Sequence, residues 1–145
     1  VKPFPLEKVL DVRRHARQER RHALAAAMAD EQQLVDLKTQ RERQKQQLLD
    51  ELASLSQEEA LNVEAAARRR YFVGQIDIQI MVIDQQIDEA RQIVEQARSA
   101  LITADQDVKA LEKLREQHLA EQVYAENRRN EIVLTEQWQS ANWNW

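Results

Sequence analysis

Cysteine is absent from this 145-residue sequence, glycine occurs once and proline twice. Without cysteine the chain can form no disulfide and no thiolate metal site. With Gly74 as its only glycine, and with Pro3 and Pro5 confined to the start, it lacks the punctuation that separates short elements. Long uninterrupted helices are therefore predicted. Aromatic residues make up 5% and charged residues 32%, too few rings and too much charge for a globular core, which favours a narrow apolar seam between solvated faces. No run reaches the roughly 20 apolar residues that cross a bilayer, and no secretory leader pattern is visible, so a cytosolic protein is expected. The chemistry of an enzyme is missing as well: there is no Gly-rich phosphate loop, no His-Glu-x-x-His and no strand to present a nucleophile. No cofactor is expected. His15 and His22 stand seven apart on one helix face, about 10 Å along the axis, too far to share one metal ion without a third element.

What is present is a helix-forming composition of Ala, Glu, Leu, Arg and Gln, residues that lose little side-chain freedom in a helix. Sustained apolar periodicity argues against disorder. Pro3 and Pro5 fit the first turn of a helix, where a missing N–H costs nothing, so a first helix is predicted from about residue 6 to 53. Its stripe of Leu6, Val9, Leu10, Ala16, Ala23, Ala27, Leu34, Leu37, Leu48 and Leu52 is interrupted by Arg13, Arg20, Asp30, Arg41 and Gln44. Ser56 and Glu59 match a capping box, in which each side chain covers an orphan backbone N–H. A turn is therefore predicted at 54–57, with a second helix over 58–137 and a Trp-rich tail over 138–145.

The second half carries a cleaner pattern. From Ile76 through Ile80, Ile83, Ile87, Ala90, Val94, Ala97, Leu101, Ala104 and Val108 to Leu111, apolar residues alternate at steps of four and three. This 3.5-residue repeat is the signature of a left-handed coiled coil. The fold class that follows is all-α, two long helices in an antiparallel coiled-coil hairpin, the second longer than the first. With the turn centred near residue 55, Leu6 falls opposite Asp105, and the run Ala23 to Ala29 faces Ile83 and Ile87, small against large. Continuing the register past Leu111 gives His118, Gln122, Ala125 and Arg129, so the last thirty or so residues should protrude alone. A turn at Gly74 is the rival, but it would demand an apolar seam through those same positions, and a helical glycine costs only about 1 kcal/mol relative to alanine.

Four features stand out from the seam. Seven basic residues lie between Val1 and His22 against three acidic ones, and Arg13, Arg14, Arg17, Arg20 and Arg21 form either a solubilising surface or a dock for an acidic protein. Nucleic acid is not the expected partner, since interleaved aromatics are absent and the net charge is −4. Phe72, Ile76, Gln79 and Ile83 share a stripe at i, i+4, i+7 and i+11. Ile78, Met81 and Val82 add more apolar surface than one seam needs, which suggests self-association or a partner. Trp138, Trp143 and Trp145 end the chain either as a fraying tail or as a tryptophan-anchored docking peptide.

Three stretches resemble the flagellar FliJ family. Phe4-Pro5-Leu6-Glu7-Lys8-Val9-Leu10-Asp11-Val12-Arg13 is similar to its N-terminal pattern, and Tyr71-Phe72 followed by Ile76-Asp77 and Ile80 to its aromatic start of the second helix. Lys109-Ala110-Leu111-Glu112-Lys113-Leu114 and Ala125-Glu126-Asn127-Arg128-Arg129-Asn130-Glu131 resemble its C-terminal region. The resemblance implies a soluble coiled-coil stalk at the centre of a hexameric export ATPase, contacts with the cytoplasmic domain of the export-gate membrane protein, and handling of empty export chaperones. It also implies a cytoplasmic protein held at the inner face of the cell membrane through its partners. On the family pattern the gate would be met by Phe72, Ile76, Gln79 and Ile83, although Gln79 stands where a small residue is expected. The ATPase would be met by Arg13, Arg14, Arg17, Arg20 and Arg21 and by the overhang past Leu111. Ile80, Ile87, Val94, Leu101, Val108 and Leu111 would be seam. Three other readings stay open: a generic scaffold built as a parallel homodimer of one long helix, the equivalent stalk of a virulence-type secretion system, and an amphipathic membrane binder.

Overall fold

The computed structural model describes residues 2–57 and 62–143, and of Trp143 only the backbone. The described residues form two helices, α1 over Glu7–Ser56 with 50 residues and α2 over Val63–Trp143 with 81. The chain turns back within itself, which excludes the parallel rod of one long helix.

Local chemistry sets the ends. At the start of α1 the Glu7 N–H donates to the Phe4 carbonyl at 3.2 Å and the Leu10 N–H to the Leu6 carbonyl at 2.9 Å, while Glu7 itself puts a negative charge at the positive end of the helix dipole. At the other end the Ser56 hydroxyl donates to the Ala53 carbonyl at 2.8 Å and the Gln57 N–H to the Ser54 carbonyl at 3.2 Å, so side chain and tightened turn satisfy carbonyls that a helix end leaves open. Asn62 caps α2: its Oδ1 accepts from the Ala65 N–H at 3.0 Å and its carbonyl from the Ala66 N–H at 3.1 Å.

The turn predicted at 54–57 therefore lies too early. Ser54 to Ser56 are helical, and Ser56 faces back into α1 rather than forward as a cap. Glu59 and the predicted start of the second helix at 58 lie outside the described residues. Asn62, an N-cap type as good as serine, provides the observed cap. The tail predicted over 138–145 is also corrected, because α2 continues to Trp143. No glycine or proline follows Gly74 to stop it.

The chain divides into two compact units, one of Arg21–Ala100 and one of Val1–Arg20 with Leu101–Trp145. In the first, Glu31 pairs with Arg91 at 3.3 Å, Lys38 with Asp84 at 2.7 Å, Lys45 with Asp77 at 2.7 Å and Glu51 with Arg69 at 2.9 Å. Numbers rise on α1 as they fall on α2, so the two helices run antiparallel here. Ile76, Ile83, Ile87, Ala90 and Val94 are buried, with Ile80 half-buried. On the α1 side Ala27 is buried and Leu24, Leu34 and Leu48 are half-buried, separated by half-buried Glu31, Lys38, Arg41 and Lys45. The charged seam residues of α1 lay their stems along the apolar surface and carry their heads out to the flanking Asp77, Asp84 and Arg91 of α2.

In the second unit Glu7 pairs with Arg115 at 3.1 Å, Arg14 with Glu112 at 3.3 Å and Arg17 with Asp105 at 3.3 Å. Leu10 and Val108 are the only side chains buried to 0% among the described residues, and Ala104 is buried beside half-buried Leu101 and Leu111. These pairs correct the predicted register. Asp105 meets Arg17 rather than Leu6, and in the other unit Ile87 lines a crevice with Val35 and Thr39 rather than with the alanine run. Both shifts follow from the later turn.

Candidate partner-binding surfaces

Gly74, Tyr71 and Ile78 lie on the side of α2 turned away from α1. Heptad geometry puts them there: with Ile76, Ile80 and Ile83 in the seam, residues 71, 74, 78 and 81 fall on the opposite face. Tyr71 is 63% exposed, Ile78 57%, Met81 71% and Val82 51%. Beyond its chain neighbours and the backbone of its own helix turns, a Cβ added at Gly74 would meet no heavy atom within 4 Å. The Tyr71 and Phe72 rings contact edge to face at 5.8 Å between centroids.

The stripe expected to bind a partner divides between two surfaces. Ile76 and Ile83 are buried in the seam, whereas Phe72 and Gln79 remain exposed. Phe72, Ile76 and Gln79 line one open groove of about 560 Å³ with Arg41, Gln44, Leu48 and Glu51 of α1. As a flat docking stripe the four cannot act together, because the helix turns two of them inward. Read one residue earlier, the same spacing gives Tyr71, Gln75, Ile78 and Val82, and all four are exposed. The signal for this face was the apolar excess at Ile78, Met81 and Val82. Gln75 carried none.

The arginine group divides in the same way. Arg14 and Arg17 are half-buried and bound to Glu112 and Asp105, and Arg13 approaches Asp107 at 3.9 Å. These three clamp α1 to α2. Arg20 and Arg21 are exposed. Asp105 also receives Lys109 at 2.8 Å, and the Lys109 ammonium first, with Arg17 behind it, holds its carboxyl below the usual carboxylate range against the opposing effect of burial. Lys38 is held above the usual lysine range, chiefly by its hydrogen bond to Asp84.

One contact was not foreseen. His118 is half-buried, its Nε2 lies 3.1 Å from the Lys2 carbonyl, and its ring meets Phe4 at 5.8 Å with a 50° tilt. The segment ahead of α1 thus extends along α2, and Gln122 and Ala125 are half-buried where it ends. From Glu126 to Asn142 every residue is exposed, including Ile132, Val133, Leu134 and Trp138 at 48–67%. The overhang begins near residue 126 rather than just past Leu111. Of the three terminal tryptophans only the Trp138 side chain is described, and it projects from the helix without a neighbouring element.

Among the described residues no group of three or more His, Asp or Glu could hold a metal ion, and no helix is long and apolar enough to cross a membrane. No curated protein and no solved structure is similar to the chain in the comparisons made. The model of the family described as flagellar FliJ protein, in contrast, matches residues 2–134, nearly the whole hairpin from the Phe4 clasp to the overhang. The chain belongs to the FliJ family.

Proposed function

We propose that this chain is a flagellar protein-export component, a coiled-coil stalk that links the export ATPase to the export gate and handles export chaperones. The observation that carries the reading is the family match over residues 2–134, together with a two-helix hairpin of the kind a stalk requires. It acts as an assembly part rather than as an enzyme, in the cytoplasm at the inner face of the membrane, held there by its partners. The gate's cytoplasmic domain docks on the exposed face of Tyr71, Gln75, Ile78 and Val82, with Phe72 and Gln79 at its margin. The hexameric ATPase takes the other end: Arg20 and Arg21 offer exposed positive charge, and the 126–142 overhang offers an apolar helix face to a partner. Arg13, Arg14 and Arg17 serve this end indirectly, by holding α1 in register.

Pull-down of the gate domain with an Ile78→Asp/Val82→Asp variant tests the assignment. Gate binding is expected to fall at least about tenfold, the effect of removing a central anchor of about 1.4 kcal/mol or more, with unchanged thermal melting because both residues are exposed. Ile76→Ala, in contrast, is expected to lower the melting temperature. Wild-type gate binding by the double variant would sink the docking face.

A further inference from the structure

The outer face of α2 has a second heptad stripe of its own. Ala67, Tyr71, Gly74, Ile78, Met81 and Gln85 follow steps of four and three on the side opposite the seam, and all six are exposed. A stripe with this period matches a coiled-coil partner rather than an irregular loop. Its order is also self-complementary in size. About a centre at residue 76, Tyr71 answers Met81 and Gly74 answers Ile78. We infer that this face pairs with the same face of a second copy of the chain, antiparallel and two-fold symmetric, as a weak homodimer.

Symmetry makes each contact occur twice. Ile78 of one copy enters the notch left by Gly74 of the other, where a Cβ would find no heavy atom within 4 Å in the single chain. Met81 lies against Tyr71, a favourable sulfur–aromatic pair. At the flank, Arg70 of one copy comes beside Asp84 of the other. Asp84 already binds Lys38, yet its side chain keeps 48% of its exposure, enough for a second cation. The flank also brings the two Asp77 carboxylates together at the axis, each held by its own Lys45 at 2.7 Å, so the complementarity of size, with an Arg70–Asp84 pair on either side, is what favours a second copy over an unrelated helix. The glycine makes sense in the same terms. Nothing within the hairpin requires it, and a helix interior is weaker for it, whereas a paired helix gains closer backbone approach. Three large apolar side chains per copy, Tyr71, Ile78 and Met81, make a small interface, so the association is transient and depends on concentration. The inference goes beyond the export reading and stands or falls without it.

Sedimentation equilibrium of the full chain is the first test. A concentration-dependent monomer–dimer equilibrium is expected, lost in Ile78→Asp while the thermal melt of the hairpin is retained. Gly74→Ile should weaken the dimer at least about tenfold, as misplacing an interface anchor does, and the size-swapped Gly74→Ile/Ile78→Ala should restore it. Because the chain has no cysteine, Gln75→Cys provides a clean geometric probe. Near the two-fold centre it should be joined to its own copy by a short bismaleimide, and Gln96→Cys, exposed on the same helix but away from the centre, should not. A chain that remains monomeric throughout, a dimer that survives Ile78→Asp, or equal linking at both cysteines would each overturn the homodimer. Because the dimer would cover Tyr71 and Ile78, which the gate-docking face also uses, the two associations would compete, and sedimentation of the chain alone reads the dimer without the gate domain.

Discussion

Leu10 and Val108 are the side chains from which water is fully removed among the described residues, so single changes there should matter most. Leu10→Ala removes buried methyl groups and leaves a cavity, and a loss of about 2–5 kcal/mol is expected by chemical or thermal denaturation. Gly74 is the opposite case. With open space at its Cβ position, Gly74→Ala adds no clash and relieves backbone entropy. The hairpin should gain about 1 kcal/mol, seen as a melting temperature higher by a few degrees. Asn62 holds the start of α2 with its Oδ1 on the Ala65 N–H, and Asn62→Ala should cost about 1 kcal/mol while Asn62→Asp preserves the cap.

Between the helices, the ion pairs do more for register than for net stability, since an exposed pair contributes about 0–1 kcal/mol. If α2 slid one heptad so that Lys38 moved from Asp84 to Arg91, like charges would meet there, and Arg14 and Glu7 would exchange Glu112 and Arg115 for the uncharged Leu119 and Gln122. A slide the other way would set Glu31 against Asp84 and Arg17 against Arg98. Only the observed register matches every charge, which is how a seam of mixed polarity excludes its neighbours. Lys38→Asp should therefore lower the melting temperature, and Asp84→Lys in the same chain should recover most of the loss. The same polarity explains what could be read from the residues and what could not. In α2 every seam position from Ile76 to Leu111 is apolar, so its period, the antiparallel hairpin and those inward positions were legible. In α1 the seam runs through Arg14, Arg17, Glu31, Lys38 and Lys45, which a hydrophobic pattern registers as gaps. The turn was misread because two capping signals lay close together, and Ser56 with Glu59 makes the more familiar pattern than Asn62 alone. The stripe of Phe72, Ile76, Gln79 and Ile83 takes in two seam positions, Ile76 and Ile83, and one residue earlier, a rotation of about 100° on a helix, exchanges the seam for solvent.

For the molecule as a whole, Asp105 and Lys38 tie stability to pH at opposite ends of the scale. Asp105 is held below the ordinary carboxylate range by Lys109 and Arg17. Its contribution is present above the ordinary carboxylate pKa and is lost as pH falls through the lowered one. Lys38 is held above the ordinary lysine range by Asp84, so its contribution is complete below the ordinary lysine pKa and is lost as pH rises through the raised one. Melting temperature should be flat between these limits and decline beyond each. Asp105→Asn should soften the acid limb and Lys38→Met the alkaline one, measured by circular dichroism across pH. Either variant leaving its limb unchanged would assign the decline to other groups.

The cross-helix contacts also differ in how much chain each must close. Arg69 and Glu51 are 18 residues apart, Arg91 and Glu31 are 60, Arg17 and Asp105 are 88, and His118 and Lys2 are 116. Closing the shortest loop first leaves each next pair only a short distance to travel, so the entropy of a long loop need never be met at once. Folding should proceed as a zip from the turn outward, and opening should run in reverse. The Phe4–His118 clasp is then the last contact made and the first released. A partner that grasps the free end could peel α1 from α2 one heptad at a time, with each turn of released helix offering its charged seam to whatever holds it.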